Sequence, residues 1–460
     1  MLMKSVNPAT LEFIGATNCC TEKDVAKAVE NARIAQQAWQ SMSVDDRIIL
    51  LEHVRNELKK NATSIVSTIV REIGKPKIEA EFELLDAMET INYYCAEVKK
   101  IQGKDVLLDS GMCPFTSARV DFVPHGVIGL ITPWNYPLSL SFWTIAPALL
   151  AGNTVVYKPS KNAVLVGRKI GEILQHVLPE GVFHVLVGDS RTGKTLVRSG
   201  VDKIFFTGSV SAGEWIMKNC GITPLALELG GKDAAIVCTD ANLDFAVQGI
   251  VWGAFTNGGQ CCAASEQVFV EEEIYSRFVE KAVNFTKSLR VGKEISPLIS
   301  EEQLNKVESL VNNAKKKGAK ILVGGKRINK NGFWFEPTIV TNVTPNMRVC
   351  AEEIFGPVMI VNKVKSAGDA VEVVNKGCFG LGASVWSKNI SAARKIAAKL
   401  NVGMVWLNEV NLPLPGGDYW GGVKCSGLRN TESKLMQCLK SKTMIVYAGK
   451  ESRTWWYPYS

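Results

Sequence analysis

Three short motifs place a cysteine, a carboxylate and a side-chain amide in an order that suits chemistry on a carbonyl carbon. Cys262 follows a glycine-rich turn in residues 255–263 (FTNGGQCCA), Glu228 lies in LELGG, and Asn135 lies in PWNYP. A thiol can attack a carbonyl carbon, a carboxylate can activate water, and an amide can donate a hydrogen bond to the developing oxyanion. Together, the three motifs predict covalent catalysis on a carbonyl compound.

Each of these residues also has a purely structural interpretation. Cys262 is expected to have a lowered pKa near a helix start, whereas a free cysteine is more often a buried core residue. Its neighbour Cys261 is a competing thiol that is expected to point elsewhere. Glu228 ends an apolar run, where burial would raise its pKa, or it forms a salt bridge at a strand end. Asn135 alternatively stabilises a turn.

A catalytic thiol needs a base to accept its proton, and histidine is the usual one. The chain has only four histidines. They are His53, His125, His176 and His184. None lies near Cys262 in the sequence, which disfavours a cysteine–histidine catalytic pair. Glu228 is therefore the better candidate for the base.

The overall composition is that of an ordinary globular enzyme. The 460 residues suggest roughly three domain-sized units, or two large ones. The net charge of +8 is spread along the chain, so no nucleic-acid partner is expected. The 12 cysteines form no CxxC pair, which argues against a metal site and a disulfide scaffold and favours reduced thiols in the cytoplasm.

One stretch, residues 127–152, carries no charge and is long enough to span a bilayer. Pro133, Pro137 and Pro147 interrupt this stretch, so a buried strand followed by a buried helix is the better interpretation. The first residues of the chain are too few and too polar for a targeting segment, and no membrane association is expected.

The spacing of apolar residues predicts helices first and then an alternation of strands and helices. Thr21 caps a predicted helical region that extends to about residue 100. The predicted strands that follow are 127–131, 154–157, 183–187 and 203–206. Short buried strands separated by helices are typical of a parallel, doubly wound sheet. A second series begins at residues 234–237 and extends to about residue 410, which predicts a second α/β unit.

Two glycine-containing turns after predicted strands offer backbone N–H groups to a phosphate. Residues 206–213 (FTGSVSAG) join a strand to a helix, where free N–H groups bind anions. Residues 188–195 (GDSRTGKT) match the P-loop pattern, and residues 235–240 could supply its acidic partner strand. A P-loop NTPase is therefore a rival prediction, although it leaves the three carbonyl-directed motifs unexplained.

Taken together, the motifs resemble the aldehyde dehydrogenase superfamily, and the resemblance extends from about Asn7 to about Lys442. The matching motifs are PWNYP (133–137), KPS (158–160), FTGS (206–209), ELGG (228–231), GQCC (259–262), EIFGP (353–357) and WGGVKCSG (420–427). The P-loop match falls in a loop that varies within the family. The resemblance implies an α/β protein with a doubly wound, Rossmann-like cofactor domain, a second α/β catalytic domain and a small β oligomerisation arm.

The resemblance implies oxidation of an aldehyde to a carboxylic acid with NAD or NADP. Because the family's nucleophile is the second residue after the glutamine, the resemblance selects Cys262 over Cys261. Asn135 and the backbone N–H of Cys262 would bind the oxyanion, and Glu228 would activate the water that hydrolyses the thioester. A P-loop NTPase and a catalytically silent relative of the family stay open as alternatives.

For the cofactor, the resemblance assigns Lys158 to the adenosine ribose, Glu353 to the nicotinamide ribose, Phe355 to the nicotinamide and Ser209 to the pyrophosphate. The whole expected set is Thr132, Trp134, Lys158, Ser160, Lys161, Gly208, Ser209, Gly213, Leu229, Glu353 and Phe355. Lys161 stands where NAD-preferring members commonly have a glutamate. A lysine there could attract a 2′-phosphate, which favours NADP, or it points into solvent.

The resemblance also implies a substrate tunnel, lined by Tyr136, Trp143, Thr256 and Trp420. The three aromatic positions match relatives that act on betaine aldehyde or aminoaldehydes, where each ring attracts a cation by about 0.5–2 kcal/mol. Thr256 breaks this pattern, and oxidisers of general aliphatic or aromatic aldehydes also have aromatic tunnels. Both substrate classes stay open, whereas the sequence places no arginine for succinate semialdehyde.

The predicted domains are a cofactor domain (1–105 and 125–235), a catalytic domain (236–436), and an oligomerisation arm and tail (106–124 and 437–460). A homodimer or homotetramer is expected because the arm and the predicted strand 443–447 have no obvious partner within one subunit. Two departures from the family are expected to matter. The chain starts almost at Asn7, without the family's leading β segment. Asn430 and Thr431 stand where many members have a glycine–arginine–glutamate pattern, near the end of the tunnel.

Overall fold

The computed structural model describes residues 2–106, 115–428, 432–450 and 456–457, so the predicted departure at Asn430 and Thr431 lies outside the described residues. The strands are β1 Leu2–Val6, β2 Phe13–Asn18, β3 Lys104–Val106, β4 Thr116–Pro124, β5 Val127–Ile131, β6 Thr154–Lys158, β7 Phe183–Val185, β8 Lys203–Thr207, β9 Leu225–Glu228, β10 Ala234–Val237, β11 Gln267–Glu271, β12 Lys320–Val323, β13 Thr338–Thr341, β14 Val358–Val364, β15 Gly382–Trp386, β16 Met404–Leu407 and β17 Leu439–Tyr447. The α-helices are α1 Glu22–Ser41, α2 Val44–Lys60, α3 Ala62–Ile73, α4 Lys77–Val98, α5 Ser139–Leu150, α6 Val164–Val177, α7 Ser190–Val197, α8 Val210–Asn219, α9 Leu243–Phe255, α10 Glu272–Ser288, α11 Glu301–Lys316, α12 Arg348–Ala351, α13 Ala367–Lys376, α14 Ile390–Ala397 and α15 Lys434–Gln437. Short 3₁₀ helices cover Thr256–Gly259, Pro415–Gly417 and Lys424–Ser426.

The first large sheet has the strand order β7-β6-β5-β8-β9, and all of its pairs are parallel. Every residue of β5 and β6 is buried, because helices cover both faces of the sheet. Helices α2 to α6 pack on one face, while α1, α7 and α8 pack on the other. The prediction of a doubly wound, Rossmann-like unit is confirmed, as is the helix cap at Thr21, which forms a capping box with Asp24.

The uncharged stretch 127–152 forms a strand and a helix inside this unit. It supplies the central strand β5 and the helix α5, which contains Pro147 and is buried along nearly its whole length. Within the described parts of the chain, no helix is long and apolar enough to cross a membrane. The apolar character of this stretch is therefore explained by its place in the core.

The second large sheet has the order β12-β13-β14-β11-β10-β15-β16 and is parallel except for the edge pair β12–β13. Helices α9 and α10 pack on one face, and α13 and α14 pack on the other. The predicted second α/β unit is thus confirmed. The expected domain boundary between residues 235 and 236 falls inside β10, so the change of sheet lies slightly earlier, between Glu228 and Ala234.

The predicted arm and the C-terminal strand form a third sheet with each other, in the order β17-β4-β3. All nine residues of β17 pair with β4, from Leu439 opposite Pro124 to Tyr447 opposite Thr116. The prediction that these segments lack a partner within one subunit is therefore wrong. The Asn153 side chain donates to the Cys438 carbonyl oxygen at 2.9 Å, which holds the start of β17 near the end of β4.

Candidate active site

Glu228 is the last residue of β9, at the carboxyl edge of the five-stranded sheet, where open α/β sheets bind ligands. Its backbone pairs with Gly427, and its carbonyl oxygen accepts the Gly208 N–H at 3.0 Å. Its carboxylate lies 3.6 Å from Nζ of Lys434. A Cβ added at Gly421 would lie 3.2 Å from its Oε1. The carboxylate therefore lies between the loop at residues 420–427 and α15.

The glycine pair that follows Glu228 brings two other motifs close to it. The Gly231 N–H donates to Glu353 Oε1 at 3.0 Å. An added Cβ would lie 2.5 Å from Glu353 Oε2 at Gly230, and 2.2 Å from the Cys262 carbonyl oxygen at Gly231. The Cys262 backbone leaves no room for a side chain at Gly231, and a side chain at Gly230 would displace the Glu353 carboxylate, so the two glycines allow the GQCC and EIFGP motifs to contact this connection.

The turn before Cys262 has left-handed backbone at three successive residues. The φ angles are 49° at Asn257, 65° at Gly258 and 71° at Gly259. At Gly259 an added Cβ would lie 2.1 Å from the Gly356 carbonyl oxygen. The glycines are therefore required both by the backbone conformation and by the close approach of the neighbouring chain.

Gln260 fixes this turn from inside the protein. It is fully buried, and its Nε2 donates to the carbonyl oxygens of Asn257 at 2.8 Å and Pro297 at 3.1 Å. Its Oε1 accepts the Ile299 N–H at 2.8 Å. The glutamine that precedes the two cysteines is thus a positioning residue for the turn, a role that its place in the motif did not reveal.

The two adjacent cysteines differ from the expectation in their pKa values and in their positions. The hydrogen bond with Cys261, followed by burial, raises the pKa of Cys262, whereas the same hydrogen bond lowers the pKa of Cys261. The direction of the pKa shift of Cys262 is therefore opposite to the expected lowering, because the hydrogen bond with Cys261 and burial both favour its neutral thiol. Cys261 does not point elsewhere, since both cysteines line the same cavity.

A buried ion pair that sequence reasoning missed holds the backbone of Asn135. Lys75 Nζ donates to Glu83 Oε1 at 2.5 Å and to the Asn135 carbonyl oxygen at 2.7 Å. The same nitrogen lies 4.0 Å from the centroid of the Tyr136 ring. The Asn257 side chain donates to the same carbonyl oxygen at 3.0 Å. This network ties the Asn135 motif to the turn that carries Cys262.

A cavity of about 840 Å³ leads to the cysteines, and the structure places all four expected tunnel residues along it. These are Tyr136, Trp143, Thr256 and Trp420. The Trp143 and Trp420 rings lie 5.5 Å apart, and Trp143 Nε1 donates to Asp86 Oδ2 at 2.8 Å. The aromatic residues therefore line one wall of the cavity, and the Asp86 carboxylate is hydrogen-bonded to that wall.

Carboxylates that the sequence analysis did not identify also line this cavity. They are Glu79, Glu83, Asp86, Glu89 and Glu409, while none of the described lining residues is Lys, Arg or His. Burial raises the pKa of Glu79 to about 7 and also raises the pKa of Asp86. Glu79 and Asp86 lie on α4, far from the recognised motifs in sequence, so no local pattern pointed to them.

Several expected cofactor residues lie at the carboxyl edge of the five-stranded sheet. Lys158 is the last residue of β6, and burial lowers its pKa to about 8. Ser160 and the exposed Lys161 follow it after Pro159. Ser209 caps α8, with its Oγ accepting a backbone N–H of the first turn at 3.3 Å. Lys158 and the N-terminus of α8 thus lie on the same edge of the sheet, where a lysine and the free N–H groups of a helix start fit the ribose and the phosphates of a dinucleotide.

Phe355, the residue expected at the nicotinamide, contacts Trp134, another residue of the expected cofactor set. The Trp134 and Phe355 rings meet edge to face at a centroid distance of 5.5 Å. Phe355 adopts a φ of 55°, which is rare for a bulky residue. Burial raises the pKa of the nearby Glu353 to about 7. The Thr132 hydroxyl lies 3.3 Å from the Tyr157 hydroxyl.

Leu229 and Gly213, two further residues of the expected cofactor set, are in contact with each other. A Cβ added at Gly213 would lie 2.6 Å from Leu229 Cδ2. Gly213 therefore leaves room for the Leu229 side chain where α8 approaches the end of β9. Gly208 contributes through the hydrogen bond from its N–H to the Glu228 carbonyl oxygen, which holds the turn after β8 against the end of β9.

The P-loop-like segment does not form a phosphate-binding loop. Helix α7 begins at Ser190, so most of residues 188–195 are helical. The Asp189 carboxylate accepts the Arg191 N–H at 2.8 Å and so occupies the helix end that a phosphate would need. Lys194 Nζ lies 5.0 Å from the Trp215 ring centroid. The geometry argues against the NTPase alternative.

Comparison with known proteins gives consistent matches over nearly the whole chain. Residues 1–444 match the model of the aldehyde dehydrogenase family. Retinaldehyde dehydrogenase 3 of Homo sapiens is 35% identical over an alignment of 464 residues, and the alignment covers 97% of this chain and 90% of that protein. Retinal dehydrogenase 2 of Mus musculus is 37% identical over 437 residues, 92% of this chain and 83% of that protein. A point mutant of betaine aldehyde dehydrogenase from Staphylococcus aureus, solved with NAD+, superposes with a TM-score of 0.94 at 31% identity, covering 99% of this chain and 96% of that chain.

Proposed function

The chain belongs to the aldehyde dehydrogenase family and is an NAD(P)-dependent aldehyde oxidoreductase, and we propose that it forms a carboxylic acid through Cys262. The main evidence for this proposal is that the chain segments with the three carbonyl-directed motifs contact one another. The Asn257 side chain of the cysteine turn donates to the Asn135 carbonyl oxygen at 3.0 Å. The Cys262 carbonyl oxygen packs against Gly231, three residues after Glu228.

In the proposed reaction, the Cys262 thiol loses its proton to solvent, and the thiolate sulfur then forms a bond to the aldehyde carbon as the C=O π electrons move to the oxygen. The Asn135 side-chain amide and the Cys262 N–H donate hydrogen bonds to the resulting oxyanion. Lys158, Ser209, Glu353 and Phe355 would hold NAD(P)+, which would supply the hydride acceptor, so that the carbon bound to Cys262 would be left as an acyl thioester. Glu228 then takes a proton from water, the water oxygen attacks the thioester carbon, and the C–S bond breaks to release the acid and the thiolate.

For the substrate, we propose an aldehyde with a cationic group, either an aminoaldehyde or a quaternary ammonium aldehyde. The cavity combines aromatic rings with carboxylates, and no described residue that lines it carries a positive side chain. Ring faces and carboxylates both attract an ammonium group. Some structural relatives are named as betaine aldehyde dehydrogenases, whereas sequence relatives are named for retinaldehyde, so the lining is what favours the cationic class.

Initial rates of NADH and NADPH formation test this proposal. The panel is betaine aldehyde, an aminoaldehyde, succinate semialdehyde, hexanal and benzaldehyde, with the Cys262→Ala variant as the control. We expect the highest kcat/KM for the cationic aldehydes and the lowest for the anionic succinate semialdehyde. Activity with neutral aldehydes alone would contradict the substrate class but keep the reaction. A preference for NADP that is lost in Lys161→Glu would assign Lys161 to the 2′-phosphate.

Replacing Asp86 by asparagine is expected to weaken binding of the cationic aldehydes selectively. Asparagine can still accept the Trp143 hydrogen bond but lacks the negative charge. Loss of one charge-assisted contact of about 1.5–3 kcal/mol raises KM by roughly 10-fold or more. Steady-state kinetics with the preferred cationic aldehyde and with hexanal provide the measurement. An equal increase of KM for hexanal would show that Asp86 shapes the cavity without selecting charge.

We also propose that the chain forms a homodimer or homotetramer, on a basis different from the sequence argument. Strand β17 lies at the edge of its sheet, with β4 on one side. Met444, Ile445 and Val446 on this strand are about half exposed or more. An exposed apolar edge strand is suited to pairing with another chain. Light scattering of the purified protein measures the assembly, and a monomeric mass would contradict the proposal.

A further inference from the structure

A buried lysine lies against the proposed hydrolytic base. The side chain of Lys434 is 5% exposed and that of Glu228 is 13% exposed. Their charged atoms, Nζ and Oε1, lie 3.6 Å apart. Removing an ammonium group from water costs several kcal/mol unless a counter-charge compensates for it. The position of Lys434 is thus tied to the carboxylate that it faces.

The backbone of Lys434 is anchored, so its side chain does not reach Glu228 by chance from a mobile surface. Lys434 begins α15, and its N–H donates to Asp418 Oδ1 at 2.7 Å. Asp418 is itself buried and accepts the Tyr93 hydroxyl at 2.8 Å through Oδ2. Asp418 therefore connects the start of α15 to the loop that leads to Trp420 in the substrate cavity.

We propose that Lys434 is a positioning residue that keeps Glu228 ionised and oriented for hydrolysis of the thioester. This inference rests on the proposed function, which assigns hydrolysis to Glu228. A neighbouring ammonium group favours the charged form of a carboxylate, whereas burial favours the neutral form. A base must be ionised before it can accept a proton from water, so the lysine extends hydrolysis to lower pH.

Other titratable groups around the pair define the controls. On the C-terminal side, Cys438 follows α15, and Asp418 holds the start of that helix. From the sheet, Lys203 on β8 is a second buried lysine, and its Nζ donates to the Gln437 carbonyl oxygen at 2.5 Å. Lys203 thus contacts the same helix without an ion pair to Glu228, which makes Lys203→Met the matched control for Lys434→Met.

The test separates acylation from hydrolysis with p-nitrophenyl acetate, which needs no cofactor. Attack by Cys262 releases nitrophenolate in a burst, and steady release then requires hydrolysis of the acetyl thioester. In Lys434→Met we expect an unchanged burst and an acid limb of the steady rate that moves up by about 1–3 pH units. At alkaline pH the rate should return to that of the wild type. Lys434→Arg, which keeps the charge, should retain the wild-type limb.

Controls make each outcome decisive. Lys203→Met should leave the acid limb in place, and in a Glu228→Gln background Lys434→Met should have no further effect. A rate loss of equal size at every pH would overturn the proposal, because it would indicate a purely structural role. If the neutral variants do not fold, the pH dependence of deacylation of the preformed acetyl-enzyme in the wild type decides: an acid limb below about pH 6.5 supports the proposal, and one at or above that pH overturns it. Absence of a Cys262-dependent burst would instead refute the proposed function.

Discussion

Replacing Cys262 by alanine is expected to lower the rate of aldehyde-dependent NAD(P)H formation by at least about 10³-fold. The hydride is transferred from the thiohemiacetal that Cys262 forms with the aldehyde. Without the sulfur, this intermediate cannot form. The neighbouring Cys261 should not take over. Cys262 is half-buried, whereas Cys261 is 7% exposed and packs with Ala263, Ala264 and Leu381 in a small apolar cluster.

Cys261→Ala is the matched control, because it removes the adjacent thiol from the same cavity. We expect this variant to keep most of its activity, since it removes a neighbour of the nucleophile and not the nucleophile. It also removes the hydrogen bond that raises the pKa of Cys262. The rate of acylation should therefore reach its maximum at a lower pH in this variant than in the wild type. Cofactor binding measured by fluorescence confirms that both variants are folded. Retention of activity in Cys262→Ala, with loss in Cys261→Ala, would exchange the two roles.

The parts of the fold that could be predicted are those that local sequence determines. Strands β5 and β6 are continuous apolar runs because both faces of the sheet are covered, and such runs can be recognised without knowing the fold. Gly259 and Gly231 are different, because backbone oxygens of distant residues lie 2.1–2.2 Å from an added Cβ, and only at Gly259 does a left-handed backbone also favour glycine.

The parts that could not be predicted depend on contacts between distant segments. The pairing of β4 with β17 joins residues more than 300 positions apart, and nothing in either segment indicates its partner. The acidic wall of the cavity lies largely on α4, whose charged residues look like an ordinary solvated helix face in the sequence. The pKa of Cys262 depends on a neighbouring thiol and on burial, which spacing within a motif does not reveal.

Replacing Lys75 by methionine is expected to lower the free energy of unfolding by about 3–5 kcal/mol and to reduce turnover as well. The variant leaves the Glu83 carboxylate buried without its ammonium partner, which is the costly way to break a buried ion pair. It also removes the 2.7 Å hydrogen bond to the Asn135 carbonyl oxygen. Denaturant unfolding and steady-state rates measure the two effects separately.

The double variant Lys75→Met/Glu83→Gln separates the ion pair from its positioning role. With both charges removed, much of the lost stability should return, because no uncompensated charge stays buried. Turnover should not return to the same extent, since the Asn135 backbone still lacks the lysine donor. Lys77→Met is the surface control: its 3.3 Å pair with Glu81 is exposed, so neither quantity should change much. Full recovery of turnover in the double variant would mean that the pair stabilises the fold without positioning Asn135, and that the Asn257 contact at 3.0 Å is sufficient to hold it.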